Sequence, residues 1–235
     1  MSAAVIEPQG GRRATSALIF MHGLGGKGDD MSWMAEHLSR ALPETRFIFP
    51  TAPRRPITVN GGMEMNAWYD IASLDALYKQ QDDVKGFEQS SDQLRLLVEQ
   101  QLGTGAVKHV AVGGFSQGGA VSLFAALERQ LHGVSAVLAL SAYLPSRDKL
   151  AGRVRDSAVH PQGAGAVPPI LVCHGKADTM VQYKYGKASA ALLKELGVRT
   201  SFRSYRCARA KISKIIIRNM HTRTTCRYKS QSFVV

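Results

Sequence analysis

The sequence has few cysteines, no long apolar run and, in its last part, no acidic side chains. Its three cysteines, Cys173, Cys207 and Cys226, are odd in number and lack a metal-ligand spacing, so they fit the reduced thiols of a cytoplasmic protein rather than a disulfide framework. No stretch of about 18 consecutive apolar residues occurs, which argues against a membrane-spanning helix. The beginning of the chain also lacks the basic start and apolar core of a signal peptide, and we expect residues 1–15 to form a short flexible leader.

Most of the positive net charge lies in the last part of the chain, which has no acidic side chains. The formal net charge is +12, from 30 basic and 18 acidic residues. Residues 206–235 contain eight Lys or Arg and no Asp or Glu, which leaves 22 basic against 18 acidic side chains in residues 1–205. Because this balance does not indicate a nucleic-acid-binding surface on the main part of the chain, we expect no nucleic-acid partner.

Between residues 16 and 205, short apolar runs alternate with amphipathic stretches. Continuous apolar runs of this length are typical of strands buried on both faces of a parallel sheet. We expect strands at 16–21, 46–50, 109–115, 136–143, 169–175 and 200–205, and helices at 30–41, 86–102, 117–128 and 185–196. Residues 50–70, rich in Pro, Gly and Asn, are predicted to form a loop. The alternation predicts an α/β fold with a mostly parallel, doubly wound sheet and helices on both faces.

The segment GGFSQGGA, residues 113–120, has the pattern G-x-S-x-G centred on Ser116. It follows a predicted strand and precedes a predicted helix, the context of a nucleophile turn. Such a sharp turn leaves no room for side chains two residues on either side of the serine. The helix that follows directs its N–H groups to the place where negative charge develops. The pattern predicts a nucleophilic Ser116, and the alternative is a plain glycine-rich turn.

A second glycine-rich segment, FMHGLGGKGDD, follows the first predicted strand at residues 20–30. Its glycines let backbone N–H groups approach a bound oxyanion closely, so Leu24 and Gln117 are the predicted N–H donors. His22, which precedes this turn, is expected to orient the loop rather than to act as a base.

A carboxylate is predicted at the same edge of the sheet. Asp178 follows the strand at 169–175 and a tight turn, which places it near Ser116. The order of Ser116, then Asp178, then a later histidine is that of a hydrolase triad. His174 precedes the turn, and we expect it to satisfy backbone groups at the end of the strand.

These motifs, taken in order, resemble the acyl-protein thioesterase and lysophospholipase family, carboxylesterases with the α/β-hydrolase fold. The matching segments, which cover about residues 16–205, are LIFMHGLGG, RFIFPTAPRRPITVNGGMEMNAWYDI, GGFSQGGAVSLFAAL, LALSAYLP and ILVCHGKADTMVQYKYG. The resemblance implies a serine hydrolase that cleaves palmitoyl-protein thioesters and carboxylic or lysophospholipid esters in the cytoplasm. It implies S-acylated proteins, lysophospholipids or small acyl esters as partners, with transient contact with a membrane surface, and no metal or organic cofactor.

The resemblance also implies roles for individual residues. It makes Ser116 the nucleophile, Asp178 the acid, and the backbones of Leu24 and Gln117 the oxyanion hole. It places Trp68, in MNAWYDI, beside an apolar acyl channel. From the residue itself, an ordinary core aromatic is an equally good interpretation of Trp68.

The chain departs from the family where the catalytic histidine belongs. In the family, the turn after the strand at 200–205 carries this histidine, whereas here the aligned position is Ala210. His221 is the only histidine after Asp178. If residues 208–220 form a helix, their length carries His221 roughly 20 Å away, and if they form a coil it can return without a tight turn to fix it.

We therefore expect a hydrolase domain at 16–205 that lacks its usual last segment, followed by an atypical basic tail at 206–235. The tail is interpreted as a replaced segment, as a basic amphipathic helix lying on an anionic membrane, or as a nucleic-acid-binding arm. Catalysis is expected to be impaired because the triad histidine is absent from its place. The alternative function is a non-catalytic binder of acyl chains or lipidated proteins.

Overall fold

The computed structural model describes residues 2–74, 77–78, 82–128, 131–159 and 167–206. Within them, strands lie at Ala3–Ile6 (β1), Ser16–Met21 (β2), Thr45–Pro50 (β3), Arg54–Ile57 (β4), Met63–Asn66 (β5), His109–Phe115 (β6), Val134–Leu140 (β7), Ile170–Gly175 (β8) and Thr200–Tyr205 (β9). Helices lie at Trp33–Leu38 (α1), Val84–Gly103 (α2), Gln117–Glu128 (α3), Arg147–Val159 (α4) and Tyr183–Glu195 (α5). None of the helices in these ranges is both long enough and apolar enough to cross a bilayer.

Seven of the strands form one sheet in the order β1-β3-β2-β6-β7-β8-β9, and β4 and β5 pair as a separate hairpin. Every neighbouring pair in the larger sheet is parallel except β1 and β3. From β2 the chain adds strands first on one side and then, from β6 onwards, on the other. The mostly parallel, doubly wound α/β sheet predicted from the sequence is confirmed.

The strands are buried on both faces, as their continuous apolar runs predict. In β2, Ala17, Ile19 and Met21 belong to one apolar cluster, and Leu18 and Phe20 belong to a second cluster on the other face. Residues of α2, α3, α4 and α5 pack into the first cluster, and residues of α1 pack into the second. Helices therefore cover both faces of the sheet.

Residues 3–6 form an edge strand, which corrects the flexible leader expected for residues 1–15. β1 pairs antiparallel with β3 along its length. Ala4 and Ile6 pack against the second apolar cluster, while Val5 on the opposite face is exposed. The pairing covers the otherwise open edge of β3. Because β3 is distant in sequence, the composition of residues 1–15 does not predict this pairing.

Three other elements differ from the prediction. The helix expected at 30–41 is a 3-10 turn at Gly28–Met31 followed by the short α1. The loop expected at 50–70 contains the β4–β5 hairpin. α4 was not predicted, because only a few of its residues, among them Leu150 and Val154, are apolar and reach the core. The helix at 117–128 and the strands at 16–21, 109–115 and 200–205 are confirmed at both ends.

The turn from β6 into α3 depends on close backbone packing. Ser116 joins the two elements with a φ of 56°, in the left-handed region that residues with a side chain rarely adopt. A Cβ atom at Gly114 would overlap the backbone of Gly118, and a Cβ atom at Gly118 would overlap the carbonyl group of Met21 in β2. Steric contact therefore requires both glycines, and the turn stores strain of about 1–3 kcal/mol.

α4 is tied to α3 by one buried carboxylate. Glu128, the last residue of α3, is 8% exposed and accepts a 2.9 Å hydrogen bond from Arg153 Nε. Lys149 Nζ lies 3.3 Å from the same carboxylate. Burial alone would raise the pKa of Glu128, but the hydrogen bonds and charges of Arg153 and Lys149 outweigh it and lower the pKa. The ionised form is therefore the one that the fold stabilises.

We expect Glu128→Gln to lower the free energy of unfolding by about 1–2 kcal/mol at neutral pH, because it weakens charge-assisted hydrogen bonds. Since the fold lowers this pKa, the contribution is complete above the ordinary glutamate pKa of 4.5 and is lost as the pH falls below it. Urea unfolding at neutral and acidic pH should show a difference between parent and variant that closes on acidification. Glu99→Gln, which removes the solvent-exposed Arg95–Glu99 pair, is the control and should change stability far less. Equal losses in the two variants would contradict this account of Glu128.

We expect Gly114→Ala to lower the free energy of unfolding by about 3 kcal/mol, because the added methyl group meets backbone atoms that cannot move aside. The matched control is Gly152→Ala in α4. There the added methyl group meets open space, and the change should raise stability by about 0.5–1 kcal/mol through helix propensity. Urea unfolding of both variants measures the contrast. A Gly114→Ala protein as stable as the parent would mean that the turn tolerates a side chain.

Candidate active site

Three loops at the carboxyl edge of the sheet bring the expected site residues together. Leu24 follows β2, Ser116 follows β6 and Asp178 follows β8. β2 and β6 are neighbours, with Met21 opposite Gly114, and β7 alone separates β6 from β8. The direction of strand addition reverses between β2 and β6, and open α/β sheets bind ligands at such a point.

Ser116 has the backbone and the surroundings of a nucleophile. Its N–H donates a 2.8 Å hydrogen bond to the carbonyl of Leu140 at the end of β7, and α3 begins at the next residue. The residue is only 7% exposed. The amino end of α3 presents unpaired N–H groups and the positive end of the helix dipole beside the hydroxyl, where negative charge would be stabilised.

Asp178 is a buried carboxylate with one oxygen anchored and one oxygen without a partner. Its Oδ1 accepts hydrogen bonds from the backbone N–H groups of Met180 and Val181, each 3.1 Å long. Its Oδ2 is buried and accepts no hydrogen bond from any residue that the structure describes. An unpaired buried acceptor is costly, and the N–H of an imidazole is the kind of donor that would satisfy it.

His174 supports the loop that carries Asp178, in agreement with the sequence-based expectation. Its Nε2–H donates a 2.7 Å hydrogen bond to the carbonyl of Val181. The same nitrogen lies 3.6 Å from Asp178 Oδ2, which is too long for a hydrogen bond. Burial lowers the pKa of His174, so the ring is neutral and forms no ion pair with the carboxylate.

His22 orients the glycine-rich loop, as its sequence position predicts. Its Nδ1–H donates a 2.7 Å hydrogen bond to the carbonyl of Gly23, and its Nε2 accepts a 3.0 Å hydrogen bond from the N–H of Ala52. Both ring nitrogens are therefore occupied by the backbone. Burial also lowers the pKa of His22, so this ring is neutral and has no lone pair free for a base.

The other described histidines lie away from Ser116. His37 lies on α1 and is bonded to the carbonyl of Trp33. His109 begins β6 and His132 precedes β7, so both lie at the amino edge of the sheet, about 20 Å of strand away from the nucleophile turn. Among the histidines that the structure describes, none occupies the place of the catalytic base.

β9 ends beside the loop of the acid, where the family places its histidine. Tyr205 lies opposite Gly175, and its carbonyl accepts a 2.8 Å hydrogen bond from the N–H of Lys176. The chain therefore leaves the sheet next to Asp178. Ala210, His221 and the remainder of the predicted tail after Arg206 lie outside the described residues.

Trp68 is fully buried among the segments that carry the expected oxyanion donors. Its indole Nε1–H donates a 2.8 Å hydrogen bond to the carbonyl of His22, and its backbone N–H donates a 3.0 Å hydrogen bond to Gln117 Oε1. These contacts fit the interpretation of Trp68 as a core aromatic. Its place beside an acyl channel stays a prediction.

The residues that support the glycine-rich loop could not be predicted from the sequence. The carbonyl of Asn66 accepts a 2.8 Å hydrogen bond from Gly25 N–H, and its side chain donates a 3.0 Å hydrogen bond to the carbonyl of Gly26. Asn66 ends the β4–β5 hairpin, in the stretch predicted as a loop. Only the hairpin itself brings it to the site, and its sequence neighbourhood carries no signal of that contact.

The nearby Cys173 is not a second nucleophile. It is buried in β8, and burial raises the pKa of its thiol to about 12, so the reactive thiolate is not populated at neutral pH. Within the described residues, no group of three or more His, Cys, Asp or Glu side chains is arranged to hold a metal ion. The chemistry that these residues support is that of an activated serine.

Comparison with known proteins agrees with this geometry. The chain matches the family model described as Phospholipase/Carboxylesterase over residues 1–224, so the match extends past Tyr205. The acyl-protein thioesterase 1 of Candida albicans is 35% identical over 214 residues, which are 87% of this chain and 89% of that protein. The acyl-protein thioesterase 1 of Neurospora crassa is 36% identical over 199 residues, which are 82% of this chain and 79% of that protein.

A solved structure supports the same assignment. The crystal structure of Zea mays acyl-protein thioesterase 2 has a TM-score of 0.79 and 30% identity, and the match covers 94% of this chain and 98% of that one. The fold, the serine turn and these relatives lead to one conclusion. The chain belongs to the phospholipase/carboxylesterase family of hydrolases with the α/β-hydrolase fold.

Proposed function

We propose that the chain is a serine hydrolase of the acyl-protein thioesterase type in which Ser116 is the nucleophile and Asp178 the acid of the triad. The observation that carries this proposal is the strained turn at Ser116, whose close packing requires glycine at positions 114 and 118. The burial of Asp178 at the same sheet edge, with one oxygen anchored by two N–H groups, supports its role.

In this mechanism a base removes the proton from Ser116 Oγ, and the oxygen attacks the acyl carbonyl carbon. The backbone N–H groups of Leu24 and Gln117 hold the resulting oxyanion. The bond to the leaving sulfur or oxygen then breaks, and the thiol or alcohol takes the proton from the base. Water attacks the acyl-enzyme by the same route, releasing a carboxylic acid and restoring Ser116.

The proposed substrates are S-palmitoylated proteins, together with lysophospholipids and small acyl esters. The relatives named acyl-protein thioesterase, at 35–36% identity over most of their length, support the thioester class. Such substrates lie at the cytoplasmic surface of membranes, so we propose a cytoplasmic protein that contacts that surface transiently. Trp68 is proposed to lie close to the acyl chain, behind the oxyanion loop.

We further propose that catalysis is impaired in this chain. His22 is bonded to the backbone through both ring nitrogens and His174 through Nε2, and Asp178 Oδ2 has no hydrogen-bond donor among the described residues. By the family resemblance the histidine would fall near position 210, which is Ala210. Loss of the histidine from a serine triad costs on the order of 10⁶ in kcat, while the oxyanion hole and binding alone leave about 10³–10⁴-fold over water.

The unpaired oxygen of Asp178 also favours a second candidate function. A site with a nucleophile turn and no base can hold an acyl chain without cleaving it. Such a non-catalytic binder of acyl chains or lipidated proteins should bind a fluorescent long-chain acyl probe with no turnover, and palmitate should displace the probe.

The proposal is tested by the hydrolysis of p-nitrophenyl esters and of an S-palmitoyl peptide. We expect slow turnover by the parent chain, several orders of magnitude below an intact serine hydrolase, and little further loss in Ser116→Ala because the remaining rate comes from the oxyanion hole and binding. His221→Ala should leave the rate unchanged, because an imidazole without a fixing turn contributes little.

Two outcomes would contradict the proposal in different ways. A fast parent rate that Ser116→Ala does not reduce would remove Ser116 from the chemistry. Fast parent turnover that His221→Ala abolishes would instead identify His221 as the base and overturn the proposed impairment. Asp178→Asn keeps the size of the side chain. Urea unfolding of the same variant shows whether a loss of rate comes from the missing carboxylate or from a loss of stability.

A further inference from the structure

We propose that Trp68 is a positioning residue that holds the two expected N–H donors of the oxyanion hole, Leu24 and Gln117, at a fixed separation. The proposal rests on the hydrolase function proposed above. It is carried by hydrogen bonds that join Trp68 to both donor segments, and it gives the indole a role that neither a core aromatic nor an acyl contact requires.

The first connection runs from the nucleophile turn to Trp68 through the side chain of Gln117. Gln117 Oε1 accepts a 3.0 Å hydrogen bond from Trp68 N–H, and Gln117 Nε2 donates a 2.7 Å hydrogen bond to the carbonyl of Tyr69. One buried amide therefore holds backbone groups of two consecutive residues, Trp68 and Tyr69. Moving either segment would leave buried polar groups unpaired, which is costly.

The second connection runs from Trp68 to the glycine-rich loop through the indole. Its Nε1–H donates a 2.8 Å hydrogen bond to the carbonyl of His22, and the two rings lie with centroids 5.0 Å apart. Leu24 follows two residues later. The ring of His22 is itself hydrogen-bonded to Gly23 and Ala52. The indole is therefore bonded to a residue that is held by two further contacts.

Trp68 itself has little freedom to move. It is fully buried in the first apolar cluster, and its carbonyl accepts a hydrogen bond from the hydroxyl of Ser90 in α2. The indole, the backbone N–H and the backbone carbonyl thus each have a partner on a different segment. Trp68 forms a strut between the loop after β2 and the turn after β6.

The sheet alone does not provide this connection. The pairing of β2 with β6 ends at Met21 and Gly114, before either donor residue is reached. Beyond that point the two loops are linked by side chains, of which Gln117 and Trp68 form the described bridge. Oxyanion stabilisation requires donors at 2.7–3.1 Å from the developing charge, and a displacement of about 1 Å can cost 10²-fold in rate.

Trp68→Phe tests the strut because it keeps an aromatic ring and removes the indole N–H. Trp33→Phe is the matched control, since Trp33 is the only other tryptophan and lies on α1, which packs on the opposite face of the sheet. Gln117→Met provides a second variant that breaks the other half of the strut and leaves the indole in place. Urea unfolding establishes that each variant is folded.

The first measurement is independent of activity. In ¹⁵N–¹H spectra of the full chain, we expect Trp68→Phe and Gln117→Met to shift the amide resonance of Leu24 and to speed its hydrogen exchange, whereas Trp33→Phe leaves it unchanged. A folded Trp68→Phe protein with an unaltered Leu24 amide would overturn the proposal, whatever its effect on stability.

The second measurement is the hydrolysis of a p-nitrophenyl ester above the uncatalysed rate. We expect Trp68→Phe to lower kcat by roughly 10- to 100-fold with KM little changed, because the donors act in the transition state and not in substrate binding. A rise in KM at constant kcat would instead make Trp68 an acyl-chain contact. If the parent shows no turnover above the uncatalysed rate, the proposed hydrolase function fails, and the Leu24 resonance alone decides whether the strut exists.

Discussion

The close backbone contact between Gly114 and Gly118 is the constraint on which the site depends. It permits the chain to reverse from β6 into α3 with Ser116 in the left-handed region. Gly118 also packs against the carbonyl group of Met21 at the end of β2, so the loop that follows β2 lies beside the start of α3. A single steric arrangement therefore places the serine, the amino end of a helix and the glycine-rich loop at one point.

Polar side chains hold the loops around Ser116, which lie beyond the paired strands of the sheet. Gln117, Trp68 and Asn66 bind backbone groups of the loops around Ser116. His22 does the same with both ring nitrogens and His174 with Nε2, and each ring is neutral because burial lowers its pKa. Both imidazoles thus support the backbone, and Asp178 beside His174 keeps an oxygen without a donor among the described residues.

Much of the fold followed from local patterns. The strand at 109–115, the helix at 117–128 and the glycines between them have a context so restricted that the sequence predicts the turn and its serine together. The sequence position of Asp178 after β8 likewise predicts its edge of the sheet, because parallel strands share their carboxyl ends.

What the sequence did not predict depends on partners that are distant in the chain. β1 exists because β3 has an open edge, and α4 is held by Glu128 as well as by its few apolar residues. The bridge from Gln117 through Trp68 to His22 combines three segments, and no window of sequence contains it. The sequence around each of these residues is ordinary, so such contacts become visible only in the folded structure.

The central claim is that the nucleophile and the acid are in place while the base is not. The most direct measurement is the rate at which a fluorophosphonate labels Ser116, followed by the mass of the intact protein. The comparison protein carries, in place of residues 206–235, a segment of the family type that includes the histidine. We expect the exchange to raise the labelling rate by several orders of magnitude. It supplies an imidazole that Asp178 can orient and that can accept the proton of Ser116. Equal and rapid labelling of both proteins would contradict the claim.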